Sequence, residues 1–269
     1  MAENKPFVGT AGWTIPAAHR SSVPATGSQL ERYASRLPVV EINSSFYKPH
    51  QRETYERWAC SVPDRFRFSV KIPKAATHER RLIDCHDLLD AFMGEVGGLG
   101  EKLSALLVQL PPSLQFDRQI AKKFFALLHD KTDCRLVCEP RHASWFEPGA
   151  DALLSRLHVG RVAADPAPVA AASAPGGWHE LAYFRFHGAP HVYFSDYDAG
   201  RLLEISAQLA SAGASATEVW CIFDNTARGH ALGNALAVDA IMRQMTFNSL
   251  NARPAATRSY PNAVQSIVR

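Results

Sequence analysis

Residues 39–61, VVEINSSFYKPHQRETYERWACS, hold one complete unit of the fold. Val39–Asn43 is a short, largely β-branched apolar run that reads as a strand, and Arg52–Ser61 is an amphipathic stretch that reads as a helix. The same succession recurs on both sides of this unit. Strands are predicted at Phe7–Gly9, Val39–Asn43, Phe66–Ile72, Ala105–Leu110, Arg135–Glu139, Arg161–Asp165, Ala182–His187 and Val219–Asp224. Helices are predicted at Ser28–Leu37, Arg52–Ser61, Cys85–Val96, Asp117–His129, Gly149–Leu157, Asp198–Ala212 and Gly229–Met245. Such alternation specifies repeated βα units and a parallel sheet. One connection breaks it: Pro166–Leu181 carries three prolines and a Gly-Gly pair, so a helix is expected to be missing between strands six and seven. The fold class is therefore α/β, a slightly irregular (β/α)8 TIM-type barrel, and 269 residues suit the roughly 250 typical of it. A doubly wound open sheet competes, but Gly9-Thr10-Ala11-Gly12-Trp13 lacks the G-x-G-x-x-G spacing of a nucleotide-binding first turn. A single barrel domain is expected over residues 1–245, with an extended or disordered tail over 246–269.

Composition excludes several classes. With 46% hydrophobic and 20% charged residues the chain is not disordered or collagen-like. The formal charge of +3 comes from 29 basic and 26 acidic residues, and Arg253, Arg258 and Arg269 lie after Met245 with no acid beside them. The body to Met245 is formally neutral, which argues against a nucleic-acid partner. No run approaches the roughly 18 apolar residues of a spanning helix, so no membrane partner is expected. Five cysteines without a Cys-x-x-Cys pair, and a first segment MAENKPFVGT without an apolar signal core, make a reducing cytoplasm the expected location. Oligomeric state is left open.

Barrel enzymes carry their chemistry at the C-terminal ends of the strands, and these strands end in polar groups. Period two puts Glu41 and Asn43 on one face, Arg67, Ser69 and Lys71 on another, then Val137, Glu139 and Arg141, then Tyr183, Arg185 and His187. Strand four ends at Gln109, strand six at Asp165, and strand eight at Asp224 and Asn225. Seven of eight strands thus bring a charged or amide group to one rim. Each taken singly is as readily a structural ion pair; together they are too many charges to bury without a ligand.

The segments GTAGW (9–13), VEINSSFY (40–47), VKIPKAATH (70–78), LVQLPPS (107–113), CEPRHASW (138–145), YFRFHG (183–188) and FDNTARGHALGNA (223–235), in this order, resemble the YecE-like family of unknown function, a TIM-barrel family. The resemblance implies a barrel with a polar pocket at its C-terminal mouth and supplies no reaction. Two departures stand out. The Trp-x-Gly-x-Phe-Tyr-Pro segment common in the family is replaced by IPAAHRSSVPATGS at Ile15–Ser28, and the usual Phe-Asn-Asn of strand eight is Phe223-Asp224-Asn225.

The function expected from these residues is acid/base catalysis of a hydrolase, lyase or isomerase type, on a small anionic or polyhydroxylated substrate. Glu41, Lys71, Glu139 and His187 are the catalytic candidates. Asn43, Tyr47, His78, Gln109, Arg141, Trp145, Asp165, Arg185, Asn225 and Arg228 are the substrate-binding candidates, the forked guanidinium groups suiting a carboxylate or phosphate. Lys71 reads either as a Schiff-base lysine or, preferred, as a salt bridge to Glu41. Tyr47, Trp145, Trp13, Tyr193 and Tyr197 are candidate stacking walls. Asn225–Gly229 leads into the last helix, where it either holds a phosphate or caps the helix. No metal or cofactor is expected. The alternatives are a nucleic-acid-binding or phosphodiester-processing protein using Arg141, Arg185 and Arg228, and a non-catalytic metabolite-binding module.

Overall fold

The computed structural model describes residues 5–251. Ten strands follow one another as β1 (Phe7–Ala11), β2 (Val39–Ile42), β3 (Arg67–Lys71), β4 (Leu103–Gln109), β5 (Arg135–Glu139), β6 (Val159–Arg161), β7 (Ala163–Asp165), β8 (Gly176–Gly177), β9 (Leu181–Phe186) and β10 (Glu218–Phe223). Their order in the sheet is β7-β9-β10-β1-β2-β3-β4-β5-β6-β8, parallel throughout except for the small antiparallel β8. β6 and β7 are two halves of one segment, broken at Val162: the first pairs with β5 and the second with β9. The sheet therefore closes nearly into a barrel, as the alternation of the sequence predicts.

Among the described residues seven α-helices cover it: α1 (Gln29–Ala34), α2 (Arg52–Cys60), α3 (His86–Val96), α4 (Arg118–His129), α5 (Pro148–Arg156), α6 (Ala199–Gly213) and α7 (His230–Asn251). The starts of α1, α4 and α6 follow from short polar side chains. Ser28 and Glu31 form a capping box on α1, Asp117 accepts from Gln119 and Ile120 N–H at 2.8 and 2.9 Å, and Asp198 accepts from Arg201 N–H at 2.8 Å. α7 runs six residues past the boundary expected at Met245. The remainder of the expected tail, 252–269, lies outside the described residues. Among the described residues no helix is long and apolar enough to cross a membrane.

Between β7 and β9 a short 3₁₀ turn, Ala170–Ser173, stands where a helix would be. Arg161 holds this connection, donating from Nε to Asp151 at 2.8 Å and from Nη1 to the Ala171 carbonyl at 3.0 Å. Asp151 also accepts from Gly177 N–H at 3.0 Å, and a side chain at Gly176 would run into the Arg161 guanidinium. Gly176 is thus required by close approach to an ion pair, and Gly177 by its φ of +67° and the Val159 carbonyl against it.

Alternation along the strands divides the core in two. Val39, Ala105, Leu107, Val137, Val162, Leu181, Tyr183, Trp220 and Ile222 fill the barrel, while the opposite faces pack against the helices. Tyr33 of α1 pins β1 to β2: its hydroxyl accepts from Thr10 N–H at 2.9 Å and donates to the Val39 carbonyl at 2.8 Å. Tyr33→Phe leaves both backbone groups without this partner and is expected to lower the urea-unfolding free energy by about 1–3 kcal/mol. A loss below a few tenths would show that those groups re-pair.

Candidate functional site

Above the apolar interior the inward positions turn polar, one layer at a time. The Tyr183 hydroxyl donates to Glu41 Oε2 at 2.9 Å and lies 2.9 Å from Ser69 Oγ. Burial, and then the Glu41 charge, hold this phenol well above its ordinary pKa, so it is a fixed donor.

Arg185 forms the next layer, fully buried, with a carboxylate on each side. Its Nε and Nη2 grip both oxygens of Glu41 at 3.1 and 2.7 Å, Nη1 donates to Glu139 Oε2 at 2.5 Å, and Nη2 to Asp224 Oδ2 at 2.9 Å. Gln109 adds a bond to Glu139 Oε2 at 3.1 Å. Burial, the largest influence, would raise Glu139 and Asp224, but Arg185 and His187 together, with Arg141 at Glu139 and Lys71 at Asp224, outweigh it and hold Glu139 well below, and Asp224 below, the usual range.

His187 bridges two of these acids, Nδ1 at 3.0 Å from Asp224 Oδ2 and Nε2 at 3.0 Å from Glu139 Oε1. Only an imidazolium satisfies both contacts. Burial pulls its pKa down, yet Glu139 and the bonds to Asp224 and Glu139 prevail, and the net shift is upward. Arg141 crosses from the other side with Nε and Nη2 at 3.0 and 2.7 Å from Glu139 Oε1, its side chain 25% exposed. Asp224→Asn removes one of the two carboxylates on His187. The expected result is a lower imidazole pKa in an NMR titration and a loss of about 1–3 kcal/mol in stability. The sign follows from the raised native pKa: the His187 contribution is present at acid pH and lost as pH rises through that pKa. An unmoved titration would show that Asp224 does not govern the proton.

Lys71 ends β3 at 7% exposure and does not pair with Glu41, contrary to expectation. Arg185 already holds both Glu41 oxygens, so the amine has nothing to receive it there. Its Nζ instead lies 3.9 Å from the centroid of the Phe46 ring and, among the described residues, makes no hydrogen bond or ion pair. Burial first, then the Arg185 charge, bring its pKa from 10.5 to about 8 against the pull of the three acids. His78, on the turn Ala75–Glu79, meets the same Phe46 ring edge-on at 5.1 Å and bonds Thr77 Oγ1 at 2.9 Å. Burial, then Lys71, Lys74 and Arg141, lower its pKa. Asn43, just after β2, has a buried Oδ1 with no hydrogen-bond partner.

Glu41, Lys71, Gln109, Glu139 and Arg185 are thus brought together from five strands, with Arg141 from the loop after β5, His187 directly after β9 and Asp224 directly after β10. His78 adjoins this cluster through Phe46, whereas Asp165, Trp145, Tyr47, Asn225 and Arg228 lie outside it. Asp165 points outward and pairs with Arg201 of α6 at 3.0 Å, because Val162 and Ala164 take the inward positions of that segment. Trp145 is core, 1% exposed, its indole donating to the Leu114 carbonyl at 2.9 Å. Tyr47 is 78% exposed, beside a cavity of about 510 Å³ behind Phe46. Asn225 is buried on the outer face and ties Ser195 to Asn234 at 3.0 and 2.8 Å. Arg228 lies in solvent over the Phe194 ring, 5.9 Å from its centroid, in a shallow cavity of about 700 Å³ that also holds His191. Of the aromatic walls, Tyr193 does stand over the cluster, edge-on to His187 at 5.8 Å, whereas Tyr197 is buried and accepts from Gly188 N–H at 2.8 Å. Asp224, Ser69 and Tyr183 were absent from the candidate set. Alternation could have found Asp224, since Trp220 and Ile222 point inward and place the next inward position there.

The family model "Protein of unknown function DUF72" matches residues 7–258 of the sequence. The chain belongs to the DUF72 family. Its resemblance to YecE is borne out by curated relatives: the UPF0759 protein YunF of Bacillus subtilis is 29% identical over 151 residues, 53% of this chain and 52% of that protein. The UPF0759 protein YecE of Escherichia coli K12 is 29% identical over 171 residues, 62% of this chain and 61% of that one. The chain thus spans between about half and three fifths of the length of these relatives. Among solved structures, the DUF72 protein of Thermotoga maritima has a TM-score of 0.74 at 22% identity, covering 89% of this chain and 99% of that one. That of Enterococcus faecalis also scores 0.74, at 23% identity, covering 90% and 99%. At this identity the likeness establishes the barrel fold of the DUF72 family and leaves the chemistry to the residues themselves.

Proposed function

We propose that this DUF72 protein is an enzyme that binds a small anionic substrate over Arg141, Lys71 and His78 and transfers a proton through Lys71. One observation carries the reading: Arg185 already holds the three acids, and Arg141 and Lys71 add two further cations to the same layer. Arg141, its side chain 25% exposed, reaches furthest toward solvent, while Lys71, 7% exposed and as buried as Asp224, pairs with no acid. Such a rim favours a carboxylate or phosphate over a neutral polyhydroxylated compound. Glu41 and Glu139 then serve as the frame and Lys71, tuned to about 8, as the group able to give and take a proton near neutral pH. The nucleic-acid alternative is disfavoured because Arg185 is caged and Arg228 belongs to a different loop, so the three arginines form no common track.

Calorimetric titration of the full chain with oxalate and with inorganic phosphate tests the binding step. Saturable binding of either, weakened about tenfold in Arg141→Gln, is expected. A screen of carboxylated and phosphorylated metabolites for turnover, lost in Lys71→Met, tests the catalytic step. Binding of neither anion would overturn the proposal; binding without any turnover would leave a metabolite-binding module in place of an enzyme.

A further inference from the structure

We propose that Lys71 is a nucleophile that forms a Schiff base with a 2-oxo acid, whose carboxylate Arg141 holds; this rests on the anion site proposed above. Three carboxylates converge within the same polar layer, and Lys71 receives none of them. Glu41 spends both oxygens on Arg185, Glu139 is shared by Arg185, Gln109, Arg141 and His187, and Asp224 Oδ2 accepts from Arg185 and His187. A buried lysine with a purely structural role is expected to hold a counter-ion, because burying an unpaired ammonium is costly. Here the amine rests on the face of Phe46 instead, at the end of β3.

Burial first, and then the Arg185 charge, keep the amine weakly basic. Arg185 stands on one side, and Arg141 is close enough that both it and Lys71 depress His78. At a pKa of about 8, roughly a tenth of the amine is the free base at neutral pH, against less than about a thousandth for an ordinary lysine. A simple anion would need only the cations and no nucleophile. A 2-oxo acid uses both features, its carboxylate against the Arg141 fork and its electrophilic carbon beside Nζ.

In the step itself the Nζ lone pair attacks the carbonyl carbon and forms the C–N bond, while the carbonyl oxygen becomes a hydroxyl. One proton from Nζ and one from solvent carry that oxygen away as water, leaving a protonated imine. No oxidant or reductant enters.

Treating the full chain with pyruvate and sodium borohydride traps this species, because hydride adds to the imine carbon and leaves a stable secondary amine. One reduced pyruvyl adduct per chain, mapped by peptide mass spectrometry to the segment containing Lys71, is expected. Its rate of formation should climb with pH and level off above about pH 8. Excess oxalate should suppress it, acetone, which has no carboxylate, should react about tenfold more slowly, and Lys71→Met, with an unchanged far-ultraviolet spectrum, should give none. Adducts confined to surface lysines, or present equally in Lys71→Met, would overturn the inference. If oxalate still binds while no adduct forms, only the Schiff-base step fails. If neither oxalate nor phosphate binds, the anion site fails with it.

Discussion

Arg185→Met is expected to lower the unfolding free energy by about 3–5 kcal/mol at pH 7, a large part of the whole stability of a domain. The guanidinium is fully buried and, among the described residues, is the one cation that touches Glu41, Glu139 and Asp224 together. Removing it strands three acids in a low-dielectric layer, and His187 and Arg141 relieve only the outer two. The dependence on pH has a definite sign. Glu139 and Asp224 have depressed native pKa values, so in the wild type their contribution is present above the ordinary carboxylate range and is lost as pH falls through the native values. In the variant these acids take up protons readily, and the deficit relative to wild type should shrink between pH 7 and pH 4.5. Urea titrations at the two pH values measure it. Adding Glu41→Gln to Arg185→Met should recover part of the loss, the coupling expected of direct partners. A deficit under about 1 kcal/mol at pH 7 would mean that the cage is not what holds the acids.

Lys71→Met should act in the opposite direction and stabilise the protein at pH 7. Lowering the lysine from 10.5 to about 8 means that the native state disfavours the ammonium by about 3 kcal/mol at neutral pH. Loss of the contact with Phe46 offsets about 1–2 kcal/mol of this, so a net gain of about 1–2 kcal/mol is expected. The sign again follows from linkage. The penalty is full below the native pKa and disappears above the unfolded one, so the gain should shrink as pH is raised from 7 to 9.5. A variant less stable than wild type at pH 7 would show that Lys71 is a structural cation. Gain of stability at a polar position, with loss of ligand chemistry, is the signature of a residue kept for function.

The elements themselves were legible because each rests on local chemistry. The Pro-rich, Gly-Gly connection after β7 reads as helix-free from its residues alone, and Ser28, Asp117 and Asp198 announce their helices. Much of the cluster was legible for the same reason: Glu41, Lys71, Glu139, Arg185 and His187 sit at alternating positions that share one face. Asp165 and Asn225 stand at strand ends but lie outside the cluster, because the parity of their positions turns both outward. Nothing local tells a loop aromatic such as Trp145 from a core one: the groups that fix it, the Leu114 carbonyl and the Phe116 ring, are remote in sequence.

Sequence alone determined the order of βα units, the near-closed parallel sheet and the set of charges that points into it, since these depend on period and on neighbours along the chain. Only the tertiary structure decided which charge meets which. Glu41 is as close in sequence pattern to Lys71 as to Arg185, yet a fork that matches both carboxylate oxygens outcompetes a single ammonium once curvature brings β9 across from β2. That choice, made by strands remote in sequence, left Lys71 buried on Phe46 without a counter-ion.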